Sequence, residues 1–464
     1  MIGWRRWASA AIAAALVLGF PSRGLAEATA TIASGHSPAS AAGRIRHLIV
    51  ITQSHHSFDN YFALYEGVPP LQSNLCQPEA PGGASCVRPF ALAPSQPKAG
   101  LNDSSAAMLH AMDGGRMDGF VTAQSNTEVG TVAMGHYGAP EMGYYWSLAQ
   151  RFTLFDRFFA ATPGGSFPNR LYSVAGQDAG YANAGAASAG VDVPTIFDEL
   201  QSSGISWKYY VQGLTAGEIA TPTGYQKTMV PLLAMPRVLG DPAMAARLTD
   251  VGQYFSDLES GKLPAVSYVV SASSSEQPPQ DPSKGEAFVR TLINALMQSA
   301  EWSSSAVIVT WDDAGGWYDH VAPPVLAGNQ RLGLRVPALL ISPYSRAGAV
   351  VSNRMDTTSI LSFIEQNWNL APLTARDASA ASLGVGLDLA QKPIAPRVSM
   401  AVPIRSTAAH GPAWLVYAFY LGAVAIAAGI LSWAARSERR RRGRRPGPRP
   451  QRAPPMPRIL ELRR

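Results

Sequence analysis

At 464 residues, 47% of them hydrophobic and 15% charged, the chain holds ample apolar material for a large folded core. The absence of any repeat excludes a solenoid or collagen-like architecture. Its net charge of +6 is concentrated at the two ends: twelve arginines against two glutamates lie between Arg436 and Arg464, Arg5, Arg6 and Arg23 lie within the first 26 residues, and everything between carries −7. The bulk of the protein is therefore mildly acidic, and the positive total is no argument for a nucleic-acid partner.

In chain order, residues 1–26 read as a secretory signal. Arg5 and Arg6 precede an apolar stretch from Ala8 to Phe20, and Gly24, Leu25 and Ala26 offer small residues for cleavage. Residues 27–42, small and polar, are expected to be a flexible connection. Glycine and proline are spread through residues 43–402 without a long polar break, which predicts one large α/β domain there. Cys76 and Cys86 are the only cysteines. Export would place them in an oxidising compartment, so one disulfide is expected to close their Pro/Gly-rich loop.

Within that domain, His47–Thr52, Ala265–Val270, Ala306–Thr310 and Pro337–Ser342 are apolar runs expected to be buried strands. Helices are expected from about Gly285 to Ser299, with Phe288, Leu292, Leu296 and Met297 on one stripe, and from Asp356 to Trp368, with Ile360, Phe363, Ile364 and Trp368 on another. Strands alternating with amphipathic helices predict a mostly parallel central sheet with helices on both faces. Residues 403–412 form a short linker. Ala413–Ala435 then runs 23 residues without a charge. As a helix it is about 34 Å long, enough to cross a ~30 Å hydrocarbon core. The arginine-rich tail 436–464 after it predicts a cytoplasmic C-terminus, a single-pass cell-membrane protein, and an extracytoplasmic folded domain.

The most informative stretch is Ala306-Val-Ile-Val-Thr-Trp-Asp-Asp-Ala-Gly-Gly-Trp-Tyr-Asp-His320, where an apolar strand stops at Asp312 and Asp313 and two glycines follow. Ligands of such sheets sit beyond the carboxyl ends of strands. Adjacent carboxylates in a partly buried loop need a cation, a proton or water, so the pair reads as a metal site or as a solvated, helix-capping turn. A second strand exit, Ile49-Val-Ile-Thr-Gln-Ser-His-His-Ser-Phe-Asp59, carries His55 and His56. The third segment is Ala161-Thr-Pro-Gly-Gly-Ser-Phe-Pro-Asn-Arg-Leu-Tyr172. There Gly164 and Gly165 allow a sharp turn and Pro168 suits the first turn of a helix. Ser166 would stand at that helix's N-terminus, as an activated nucleophile or as a plain N-cap.

These segments resemble the bacterial phosphoesterase family that contains non-haemolytic phospholipases C and secreted acid phosphatases, built on the alkaline-phosphatase-like fold. The resemblance is carried by His56-Ser-Phe-Asp-Asn-Tyr-Phe62, Gly115-Arg-Met-Asp-Gly-Phe120, Phe152-Thr-Leu-Phe-Asp-Arg-Phe-Phe159, Ser166-Phe-Pro-Asn-Arg-Leu-Tyr172, Trp311-Asp-Asp-Ala-Gly-Gly-Trp-Tyr-Asp-His320 and Gly333-Leu-Arg-Val-Pro-Ala338. It implies that Ser166 is the nucleophile of phosphate-ester hydrolysis and that Asp312 and Asp313 hold one divalent metal ion together with Ser166. Beside Ser166, Asn169 and Arg170 are expected either to touch phosphate oxygens or, Asn169 above all, to pack at the helix start.

The departures from that pattern are as informative. The usual Glu-Asn metal ligands are Ser54 and His55 here, so an anionic oxygen is lost and an imidazole nitrogen gained, favouring zinc-like or iron-like ions. The usual phosphate-contacting histidine is Gln277, which hydrogen-bonds but donates no proton at neutral pH. A further histidine is Thr357. Two expectations follow: an outward-facing, membrane-anchored phosphoesterase acting on phosphate esters, phospholipids among them, or a catalytically silent anchored binding module on the same fold.

Overall fold

The computed structural model describes residues 43–93, 100–124, 126–181, 190–273 and 275–399. The expected signal 1–26, connection 27–42, linker 403–412, membrane helix 413–435 and tail 436–464 lie outside the described residues. Among the described residues no helix is long and apolar enough to cross a membrane.

The main sheet has eight strands: β1 His47–Gln53, β2 Thr153–Phe155, β3 Trp207–Val211, β4 Leu248–Asp250, β5 Val266–Val270, β6 Ser305–Trp311, β7 Ala338–Ile341 and β8 Val350–Val351. Their spatial order is β8-β2-β7-β6-β1-β5-β3-β4. β1 lies at the centre, parallel to β5 and β6. The parallel half continues through β3 and β4. Continuous apolar strands are what a sheet covered on both sides requires, and every residue of β6 is buried.

The mostly parallel sheet is formed, and β7 is its one reversal. It runs antiparallel to both β6 and β2. Between Trp311 and Ala338 the chain has a single short 3-10 turn, Ala327–Asn329, and no crossover helix. A parallel return needs such a crossover, so the chain re-enters the sheet from the end at which it left. The strands the sequence did not reveal are the short β2, β4 and β8, and β3, whose Trp-Lys-Tyr-Tyr-Val string is aromatic rather than aliphatic.

The helices that matter for the site are α1 Phe58–Phe62, α2 Gly143–Arg151, α3 Ser166–Ala175, α4 Pro282–Gln298 and α5 Ser359–Trp368. α4 starts earlier than the stripe suggested because Asp281 caps it, accepting from the Ser283 N–H at 2.9 Å, and Pro282 fits the first turn. It buries Val289, Leu292, Ile293, Leu296 and Met297, each such side chain contributing about 1.5–3 kcal/mol. α5 starts later than expected because Met355 and Asp356 pair as a strand with Phe158 and Phe159. Cys76 and Cys86 are bonded, with Cα atoms 5.5 Å apart, closing the expected loop.

Candidate functional site

Parallel register assembles the site. Gln53 at the end of β1 lies opposite Trp311 at the end of β6, so Ser54–His55 and Asp312–Asp313 leave the sheet side by side. The Asp312 N–H donates to the Gln53 carbonyl at 3.1 Å and the His56 N–H to the Asp313 carbonyl at 3.1 Å, pinning one loop to the other. This close approach explains the glycines after the carboxylates: Gly315 has φ +59, and a Cβ there would lie 2.4 Å from the His55 carbonyl oxygen. His55 itself has φ 66, a left-handed conformation uncommon for a residue with a side chain.

The loop before α3 brings in the third segment. Gly165 caps α3 in an extended conformation, so neither a plain serine cap nor a left-handed glycine turn forms there. Ser166 is the first helical residue, and its hydroxyl is free to point into the site. Its Oγ lies 2.8 Å from His55 Nε2 and donates to Asp313 Oδ2 at 3.0 Å. His55 Nε2 also lies 3.3 Å from Asp313 Oδ2. The helix N-terminus adds partial positive charge where a phosphoryl group would sit.

Asn169 and Arg170 sit in the first turns of α3, and the contacts of both side chains serve the scaffold, which for Asn169 is the helix-start packing held open above. Asn169 Nδ2 donates to the carbonyls of Gly164 at 2.7 Å and Gly165 at 3.1 Å, and its Oδ1 accepts from the Thr162 N–H at 3.0 Å. That clamps the loop carrying Ser166. Arg170, almost fully buried, donates through Nε to Asp312 Oδ2 at 2.7 Å, through Nη2 to Ser54 Oγ at 2.9 Å and through Nη1 to the Met229 carbonyl at 3.0 Å. Ser54 completes the triangle by donating to Asp312 Oδ2 at 3.2 Å. Ser54, at the position where the resemblance implied a metal ligand, thus holds Asp312 in place.

Electrostatics separate the two aspartates. Burial raises the Asp312 pKa, but the Arg170 guanidinium and His55 outweigh it and hold the carboxyl below its usual range. Asp313 is pushed up to about 6 by burial, with Asp312 adding to the rise and His55 opposing it. His55 is buried, which lowers its pKa, yet Asp313, Asp312 and Asp103 together raise it to about 10. Without a bound cation, His55 carries the positive charge that faces Asp313.

The donors suit a small divalent ion. His55, Asp312 and Asp313 each offer a ligand atom within 4.8 Å of the others. The separations among Ser166 Oγ, His55 Nε2 and Asp313 Oδ2, 2.8, 3.0 and 3.3 Å, are those of ligand atoms sharing one ion. Bonds of ~2.0–2.2 Å put neighbouring ligands about 3 Å apart. One imidazole nitrogen among hard oxygens suits zinc, manganese or iron better than calcium.

A residue not foreseen from the sequence also reaches this nitrogen. Asp103 Oδ2 lies 3.2 Å from His55 Nε2, with the Asp103 side chain one-third exposed at the mouth of the site. Nothing local marks it, since Asn102-Asp103-Ser104 precedes the helix Ser105–Met112 and reads as capping sequence. Ser104 is the actual cap.

Gln277 is half-buried on the loop after β5, next to Glu276. The Glu276 carbonyl meets His56 Nε2 at 3.0 Å. His56 is fully buried, stacked on Tyr61 at 4.5 Å and on Trp317 at 5.7 Å, which is a core position. Trp311 and Trp317 are likewise core residues, fully buried. Thr357 is buried, and its Oγ1 has no hydrogen-bond partner among the described residues. Asp319 and His320 belong to a second cluster with Asp59. Arg335 fills it, donating to Asp319 Oδ1 at 2.9 Å and to Asp59 Oδ1 at 2.8 Å, so its carboxylates are already matched by a guanidinium. A cavity of about 640 Å³, lined by Tyr172, Met355, Arg354 and Arg376 among others, contains none of Ser166, His55, Asp312 and Asp313.

The chain is 28% identical over 399 residues to the non-hemolytic phospholipase C of Burkholderia pseudomallei, covering 70% of this chain and 55% of that protein, so it spans little more than half of that relative's length. It is 28% identical over 421 residues to phospholipase C A of Mycobacterium tuberculosis, covering 78% of this chain and 80% of that one. Among solved structures, the lipoteichoic acid synthase LtaP from Listeria monocytogenes shares 8% identity and a TM-score of 0.40 over 75% of this chain and 79% of that one, a likeness too slight to argue from. The model of the Phosphoesterase family matches residues 45–371, and the chain belongs to that family.

Proposed function

We propose that this protein hydrolyses phosphate esters, with phospholipids as the substrate class, on an exported domain held at the membrane by residues 413–435. The observation that carries the reading is the hydroxyl of Ser166 at a helix N-terminus, 2.8 Å from His55 Nε2 and 3.0 Å from Asp313 Oδ2. Ser166, Asp313 and His55, with Asp312 beside them, would hold one divalent ion. Bound there, the ion lowers the hydroxyl's pKa and offsets charge on the phosphoryl oxygens.

The chain's own residues supply the rest. Ser166 passes its proton to solvent water and its Oγ attacks phosphorus, forming the Oγ–P bond as the bond from phosphorus to the alcohol breaks. The departing alkoxide takes a proton from water. A water molecule then cleaves the phosphoseryl ester and restores the serine. Asn169 keeps the Ser166 loop in register, and Arg170 fixes Asp312. The uncharged run 413–435 and the arginines after it support an orientation with the domain outside the cell, next to lipid headgroups.

One observation favours the second reading, an anchored binding module without turnover: Arg170 and His55 already pair both aspartates in the absence of an ion. The test is metal analysis of the full-length protein in mild detergent, with hydrolysis of an aryl phosphate and of a phosphocholine ester measured beside Ser166→Ala. The expectation is one ion per chain and a loss of at least about a thousandfold in the variant. A metal-free, inert wild type would favour the binding module, and activity surviving in Ser166→Ala would remove the serine from its role.

A further inference from the structure

A single nitrogen atom is over-subscribed. His55 Nε2 carries at most one proton, yet three oxygens converge on it: Ser166 Oγ at 2.8 Å, Asp103 Oδ2 at 3.2 Å and Asp313 Oδ2 at 3.3 Å. One N–H cannot donate well to three acceptors, and two carboxylates facing one hydrogen repel each other. A cation beside this nitrogen, which then turns from donor into ligand, gives the carboxylates a positive partner; Asp103 stands outside the group His55, Asp312 and Asp313, whose ligand atoms lie within 4.8 Å of one another, and reaches the ion by swinging inward. Asp103 stands on the loop before the helix Ser105–Met112, an element separate from the strand exits that carry the other donors. Its carboxyl also lies against the cap of the nucleophile helix, since a Cβ on Gly165 would meet Asp103 Oδ2 at 3.5 Å.

We infer that Asp103 is an acidic member of the metal centre, supplying from outside the sheet the anionic oxygen that Ser54 no longer supplies. The inference rests on the metal-assisted reading of the Ser166 site and goes beyond it, because it assigns the charge balance of the centre. Arg170 takes up most of the charge of Asp312, which leaves Asp313 and Asp103 as two carboxylates for one divalent ion. Two negative charges and one imidazole around the ion favour Zn²⁺ or Mn²⁺ over Ca²⁺. The one-third exposure of Asp103 lets it approach the ion or move aside for a phosphate oxygen.

The experiment uses the full-length protein stripped with a chelator and titrated with Mn²⁺ and Zn²⁺, reading affinity by calorimetry and Mn²⁺ coordination by paramagnetic resonance. Asp103→Asn keeps the shape and a hydrogen-bonding group but removes the charge, and is expected to weaken binding of either ion by about 10- to 100-fold. Asp103→Glu is expected to restore most of the affinity and to shift the Mn²⁺ spectrum. Metal-free Asp103→Asn should lose only the partly exposed ion pair with His55 and remain folded throughout the titration, so weaker binding there reports a lost ligand rather than unfolding. Equal affinity in wild type and Asp103→Asn overturns the assignment of Asp103 and leaves the Ser166 reading standing. A wild type that binds neither ion overturns both.

Discussion

Replacing Arg170 by methionine tests the electrostatic frame beneath the whole site. Arg170 and Asp312 are each only 2% exposed, and the guanidinium holds Asp312, Ser54 and the Met229 carbonyl together. Removing one partner of a buried ion pair leaves an uncompensated charge and costs about 3–5 kcal/mol. Asp312 keeps two donors, the Ser54 hydroxyl at 3.2 Å and the Asp313 N–H at 2.9 Å. Those remaining hydrogen bonds place the expected loss near the lower end, about 3 kcal/mol. The same change frees the Asp312 carboxylate for an ion, so added Mn²⁺ should stabilise Arg170→Met more than wild type. A site filled at 100 times its dissociation constant gains about 2.7 kcal/mol, enough to return most of the deficit. The assay is urea unfolding followed by the fluorescence of the buried Trp311 and Trp317, with and without Mn²⁺. A destabilisation below about 1 kcal/mol would refute the claim that this buried pair carries the frame, and a deficit that Mn²⁺ leaves unchanged would refute the claim that Asp312 faces the ion.

Gly315→Ala should cut kcat at least about tenfold while the protein still folds, because a Cβ 2.4 Å from the His55 carbonyl forces that loop away from Ser166; steady-state kinetics beside circular dichroism read both, and wild-type kcat would show that the loops need not touch. Glu276 gives a pH signature. Burial pushes its pKa up to about 8, against hydrogen bonds from Tyr145, Tyr61 and Trp311 that act to lower it. A carboxyl raised in the folded state favours the protonated form, so its contribution is fully present below about pH 4.5 and is lost as the pH rises through 8. The stability of wild type relative to Glu276→Gln should therefore fall by a few kcal/mol between pH 5 and 8, on the order of one kcal/mol per pH unit. Chemical denaturation at several pH values measures it, and a flat difference would mean the three donors hold the carboxylate charged throughout.

The fold was legible wherever aliphatic runs were long. β1, β5, β6 and β7 were readable because strands buried on both faces must be continuously apolar, and α4 and α5 because a helix with one buried face repeats at its own period. The short strands β2, β4 and β8 were not, since two or three residues carry no period, and the direction of β7 depends on the path of the loop before it. At the site, Ser166, His55, Asp312 and Asp313 could be named from the strand-exit segments and the resemblance. Asn169 and Arg170 were named too; packing at the helix start was one of the two readings open for Asn169, whereas the partners of Arg170, namely Asp312, Ser54 and the Met229 carbonyl, lie far along the chain and leave no local mark.

The sequence by itself determined which residues would lie in the core, where the two cysteines would pair, and that carboxylates and a serine stand at the ends of apolar segments, since each of these follows from local pattern. Only the tertiary structure decided that Asp103, far from the other donors along the chain, meets His55 at 3.2 Å, and that Arg170 is spent on Asp312. Convergence in the first case and burial in the second depend on how distant segments pack, and no local pattern encodes a distance between elements that the sheet brings together.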